Sequence, residues 1–213
     1  MRKSLLFVWA CMGLVCLMSA CKTSVKSKEW KLVWVEDFDQ KNSFDESVWT
    51  KIPRGTSDWN NYMSYYDSCY AMQDGNLILR GIANHTQKND TAPYLTGGVY
   101  TKGKKLFTGG RVEVCARLQA AKGAWPAIWM LPEKAEWPKG GEIDIMERLN
   151  HDHIAYQTTH SYYTHILGIK DNPPHGGINK INPEEYNIYS VDIYPDSLVF
   201  AVNHRHTLSL IHI

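Results

Sequence analysis

At 213 residues and a formal charge of +1, the chain is long enough for one domain with a sizeable core and lacks the basic stripe that would draw nucleic acid. Its five cysteines show no metal-type spacing, so no metal or other cofactor is expected. Eight tryptophans and twelve tyrosines predict that some rings line a surface for a flat, partly apolar ligand.

Residues 1–20 read as a lipoprotein signal peptide. Arg2 and Lys3 precede an apolar run, 5–18, that is too short to span a membrane comfortably. Met18-Ser19-Ala20-Cys21 then resembles a bacterial lipobox, with Cys21 as the lipidation site and mature N-terminus. Acyl chains on Cys21 would tether the protein by a short polar segment, 21–29. The expected location is therefore the cell envelope, anchored to a bacterial (outer) membrane only through lipid. A plain secretory signal is the alternative. Without Arg2 and Lys3, 21 basic residues face 22 acidic ones, a side-chain charge near −1. Cys69 and Cys115 remain in the mature chain, either as a pair or as two lone buried thiols.

From residue 30 onward, short apolar runs alternate with Gly, Pro and Asn/Asp clusters, the pattern of an all-β sandwich. Strands are predicted at 30–35, 77–79, 111–118, 127–131, 141–148, 154–161, 189–193 and 198–202. Asp74-Gly75-Asn76 is a turn signal, and 43–49 is a single helical turn with Ser43 at its N-cap. Residues 170–183, with three prolines and two glycines, read as a long loop that could border a cleft. No repeat and no second domain is evident.

The most informative segment is Gly141-Glu142-Ile143-Asp144-Ile145-Met146-Glu147. Three carboxylates within six residues repel one another, and one of them tends to keep its proton. A helix would splay them apart, and on a regular strand Glu147 would face away from Glu142 and Asp144. One extra residue, a β-bulge between Asp144 and Glu147, puts all three on one face and sends the intervening apolar side chains inward. One ionised and one protonated carboxyl group side by side is what glycosidic-bond cleavage requires.

This segment resembles the catalytic signature of glycoside hydrolase family 16, in its bulged, laminarinase-like form. The segments 97–104, 110–114 and Gly123-Ala124-Trp125-Pro126-Ala127-Ile128-Trp129-Met130-Leu131-Pro132 resemble that family's strands in order and spacing, and the likeness runs from about Trp34 to Asn203. The resemblance implies a concanavalin A-like β-jelly-roll with a concave substrate cleft, formed by residues 30–213. It implies internal cleavage of a polysaccharide with retention of configuration, Glu142 as nucleophile, Glu147 as general acid/base and Asp144 between them. Trp137 occupies the place of a sugar-stacking tryptophan, His160 that of a histidine beside the nucleophile, and Asn60 that of a subsite asparagine. Trp125 and Trp129, four apart, would share one face of a strand, in the cleft or in the core. His151 and His153 read as solvated loop residues. The 207–213 tail matches none of the family's closing segments, so the C-terminal strands are expected to be missing.

Three functions follow. The first is a retaining endo-β-glycanase acting on β-1,3- or mixed-linkage β-1,3-1,4-glucan. The second is an endo-β-galactosidase-like enzyme acting on mucin or lactosamine glycans. The third is a non-catalytic carbohydrate-binding jelly roll, although a lectin gains nothing from adjacent repelling acids. The only partner expected is the polysaccharide or glycan itself, bound by a monomer.

Overall fold

Fourteen strands are described, and several of the longer ones show the alternating burial of a sheet that is wet on one face. The computed structural model describes residues 30–40 and 42–211, and Leu32–Ile213 forms a unit of its own. The strands are β1 (Thr50–Lys51), β2 (Tyr70–Gln73), β3 (Asn76–Leu79), β4 (Gly81–Ala83), β5 (Tyr94–Thr96), β6 (Val99–Tyr100) and β7 (Gly110–Ala116). They continue as β8 (Ala127–Met130), β9 (Glu142–Glu147), β10 (Ile154–His160), β11 (Gly176–Lys180), β12 (Asn187–Ile193), β13 (Ser197–Val202) and β14 (Arg205–Ile211).

Two four-stranded antiparallel sheets dominate, ordered β11-β10-β9-β8 and β14-β13-β12-β7, and three two-stranded ribbons complete the set. The core lies between the two large sheets. Ile145, Met146 and Ala155 from the first meet Tyr189, Val191, Phe200 and Leu210 from the second. Ile145, Met146, Val191, Phe200 and Leu210, so buried, each contribute about 1.5–3 kcal/mol by leaving water. On the outer face of the second sheet, Arg111 forks onto the Asp192 carboxylate opposite it, at 2.6 and 2.9 Å.

Several expectations are corrected. Residues 30–35 alternate but form no strand, and Leu32, Val33 and Val35 are exposed, because a strand exists only where a neighbour completes its ladder. The turn after Ser43 is capped instead by Asp45, which accepts from the Ser47 amide at 2.8 Å. The stretch 170–183 is only half loop, since Gly176–Lys180 adds an edge strand to β10. Residues 207–211 of the tail lie in β14, which pairs with β13. The expected turn at Asp74-Gly75 is present, with positive φ of 52° and 69° at the two residues, and it closes β2 on β3 as a hairpin that the sequence reading does not include. Cys69 is fully buried and Cys115 exposed, and the two do not pair. The signal segment, the tether and Cys21 lie outside the described residues.

Candidate active site

The predicted kink in β9 is present, and the strand registers on both sides locate it. Against β10, Glu142 faces His160, Asp144 faces Thr158 and Glu147 faces Tyr156. Three acids therefore oppose residues 160, 158 and 156, which alternate onto one face of a regular strand. Against β8, Asp144 faces Trp129, Met146 faces Ile128 and Glu147 faces Ala127, leaving Ile145 as the extra residue. Ile145 and Met146 both sink into the core, at 1% and 0% exposure. The bulge thus reconciles a wet acidic face with a dry apolar one. Gly141 sets the entry to the strand with φ of 78°, a conformation side chains resist.

Each outer acid is held by a tryptophan. The Trp137 indole N–H donates to Glu142 Oε2 at 2.8 Å, and the Trp125 indole N–H donates to Glu147 Oε1 at 2.7 Å. Both rings are about half exposed, so each offers a face to solvent while its polar edge is spent on an acid. Trp125 precedes β8 instead of lying on it, yet reaches the same face as Trp129. Trp129 lies beside Asp144 and carries Trp59 edge-on at 5.4 Å.

Asp144 is 3% exposed. Its Oδ2 lies 3.3 Å from His160 Nε2, a charge contact without hydrogen-bond geometry. Asn60 stands apart from this cluster in its bonding. Its Oδ1 accepts from the Ser57 amide, so the contacts shown are those of its own turn.

The electrostatics follow from this crowding. Burial, then the Asp144 charge, pushes Glu142 above the usual carboxylate range, while Trp137 and His160 pull it back. Glu147 is pushed up by the same two causes in the same order and also by Glu142, against the pull of Trp125 and His160. The repulsion between the two glutamates is mutual and raises whichever of them holds the proton. His160 is raised above the ordinary histidine value by its contact with Asp144, with burial opposing. Both glutamates therefore hold their protons to higher pH than an ordinary glutamate.

Three contributors escaped the sequence reading. Trp59 has a signal in its place next to Asn60, the residue that resembles a subsite asparagine. His165 has none: it lies on a π-helical turn, Tyr162–Ile166, and meets the Trp137 ring edge-on at 4.3 Å. The third is Gln157, buried beneath the bulge.

A sheet with a buried carboxylate between two partly exposed ones, each held by an aromatic N–H, defines a glycosidase-type site, and comparison with known proteins agrees. A family profile described as "XgeA-like, catalytic GH16 domain" matches residues 67–180. The chain is 37% identical to a keratan-sulfate endo-1,4-beta-galactosidase of Sphingobacterium multivorum over 85% of its own length and 43% of that protein's. It is 30% identical to a beta-glucanase of Rhodothermus marinus, over 88% of this chain and 68% of that one. The laminarinase structure from Rhodothermus marinus superposes with a TM-score of 0.75 at 28% identity, covering 86% of this chain and 75% of that one. The chain thus spans less than half of the first relative's length. It belongs to glycoside hydrolase family 16.

Proposed function

We propose that the protein is a retaining endo-β-glycanase in which Glu142 is the nucleophile and Glu147 the acid/base. The observation that carries this reading is the registered bulge, which places Glu142 and Glu147 four strand positions apart on one face with Asp144 between them. Four positions span about 13 Å at the backbone, and two glutamates leaning inward shorten that to roughly the 5 Å of a covalent mechanism.

Glu142, ionised, attacks the anomeric carbon, and Glu147 gives its proton to the departing glycosidic oxygen. Glu147, now a carboxylate, takes a proton from water as that water attacks the glycosyl-enzyme, which releases the sugar with its original configuration and restores both groups. Asp144 helps hold the proton on Glu147 in the resting enzyme, and His160 balances part of its charge. Trp125 and Trp137 orient the two reacting carboxylates and present ring faces to the sugar.

The substrate this reading assigns is β-1,3- or mixed-linkage β-glucan, supported by the glucanase relatives. A second reading, cleavage of β-galactosidic bonds in lactosamine-type or mucin glycans, is supported by the 37% identity to the keratan-sulfate enzyme. Digestion of laminarin, lichenan, keratan sulfate and mucin O-glycans, with product sizing, separates them. Time-resolved proton NMR should show the first-formed reducing end as the β-anomer, and an initial α-anomer rules the mechanism out. The proposed location is the cell envelope, by lipid on Cys21.

Trp137→Phe provides a further check. Removing the indole N–H takes away an interaction that favours ionised Glu142, so its pKa rises further. Because the ionised form is the reactive one, the acid limb of kcat/KM should move to higher pH. A charge-assisted hydrogen bond at a half-open site predicts a loss of about tenfold at the optimum. An unmoved acid limb would mean that the bond does not tune the nucleophile.

A further inference from the structure

The bulge that aligns the acids leaves its extra residue, Ile145, without a place in the β8 ladder. Its carbonyl oxygen is met by a side chain: Gln157 Nε2 donates to Ile145 O at 2.8 Å. Gln157 lies on β10, on the opposite face from Tyr156 and Thr158, and is completely buried. The same amide nitrogen reaches across the core to Ala201 O at 3.2 Å. Ala201 sits at a second irregularity, where the register between β13 and β14 slips by one residue. One amide group therefore ties the bulge of the acidic sheet to the slipped register of the facing sheet.

The residue type fits the task. A neutral carboxamide supplies two N–H donors from one atom, whereas a hydroxyl supplies one and a lysine would bring a charge into the core. The fit is incomplete, because Gln157 Oε1 is buried with no partner. Such an orphan costs free energy that an apolar residue of the same size would not incur. A position chosen for packing alone would hold that apolar residue.

We infer that Gln157 is a positioning residue: it pins the extra residue of β9 from beneath and thereby sets where Glu147 stands relative to Asp144 and Glu142. The inference rests on the glycosidase reading of those acids, and its test has one arm that does not. In Gln157→Met, nearly the same size but without the donors, the Ile145 carbonyl is released and β9 relaxes outward at Glu147. A displacement of about 1 Å at a catalytic group is worth roughly 10²-fold. The expected result is a fall in kcat of about that size with KM within twofold. Carbon-13 NMR of the glutamate carboxyls should show the Glu147 titration midpoint lower than in wild type, since the group has moved from burial and from Asp144.

Folded Gln157→Met with wild-type kcat and an unmoved Glu147 midpoint overturns the inference. Should that variant fail to fold, Gln157→Glu decides. Its neutral carboxyl can donate one bond to the Ile145 carbonyl and its carboxylate none, so its kcat relative to wild type should rise as pH falls. A pH-independent ratio overturns the inference. If wild type cleaves nothing in the panel, the glycosidase reading falls, and the Glu147 midpoints alone decide whether Gln157 positions that group.

Discussion

Glu142→Gln is expected to lower kcat by about 10⁴-fold or more while leaving oligosaccharide binding within a few-fold of wild type. Losses of that size are seen when a covalent nucleophile is removed, because the remaining site still binds and polarises the substrate but has no electron pair to offer. Ten-thousandfold corresponds to about 5.5 kcal/mol of transition-state stabilisation. Binding should survive because the substitution keeps the size of the side chain and an oxygen that can accept from the Trp137 indole. It also removes a charge from a site where Asp144 already repels Glu142, so ground-state affinity has no electrostatic reason to fall. The measurement is kcat by reducing-end assay and Kd by calorimetry on the same inactive variant. A variant that keeps more than one hundredth of wild-type turnover would show that Glu142 does not form the glycosyl-enzyme.

The alignment of the three acids on one face of β9 is legible in the chain because parity is a hard constraint. Glu147 lies five positions after Glu142, an odd offset that no regular strand can bring to one face, and the inserted residue supplies the correction. What could not be read is the partnering of the acids. The sequence points to Trp137 as a sugar-stacking ring and leaves Trp125 to the cleft or the core, and nothing in their spacing says that each gives its indole N–H to a glutamate. Which edge of a ring points where depends on loop conformation, and both residues sit outside the regular strands. Gln157 was invisible for a different reason. In sequence it is one polar residue in an alternating run, and only the facing sheet, 44 residues further on, shows that it points inward. The failed strand at 30–35 teaches the converse. Trp30, Leu32 and Trp34 have the right period, but a period describes a face, and a strand also needs a neighbour.

Glu147→Gln should produce a loss that depends on the leaving group. For a natural polysaccharide the departing sugar oxygen is strongly basic, so losing the proton donor is expected to reduce kcat/KM by about 10³-fold, within the usual range for general acid catalysis. For an aryl glycoside whose phenolate departs unaided, the loss in the first step should be far smaller, and a burst of phenol should precede slow turnover because no base then activates water. The pH profile supplies the sign. In the free wild-type enzyme Glu147 must be protonated, and burial, Asp144 and Glu142 together hold its proton to higher pH than an ordinary glutamate. Activity is therefore present below that raised midpoint and is lost as pH rises through it. In the variant the glutamine does not titrate, so the alkaline limb should vanish on the aryl substrate while the acid limb, set by Glu142, remains. Equal losses on both substrates, or a retained alkaline limb, would transfer the acid role to another residue. Asp144 would then be the first to consider, because it alone lies on the same face between the two glutamates, with His160 already against it.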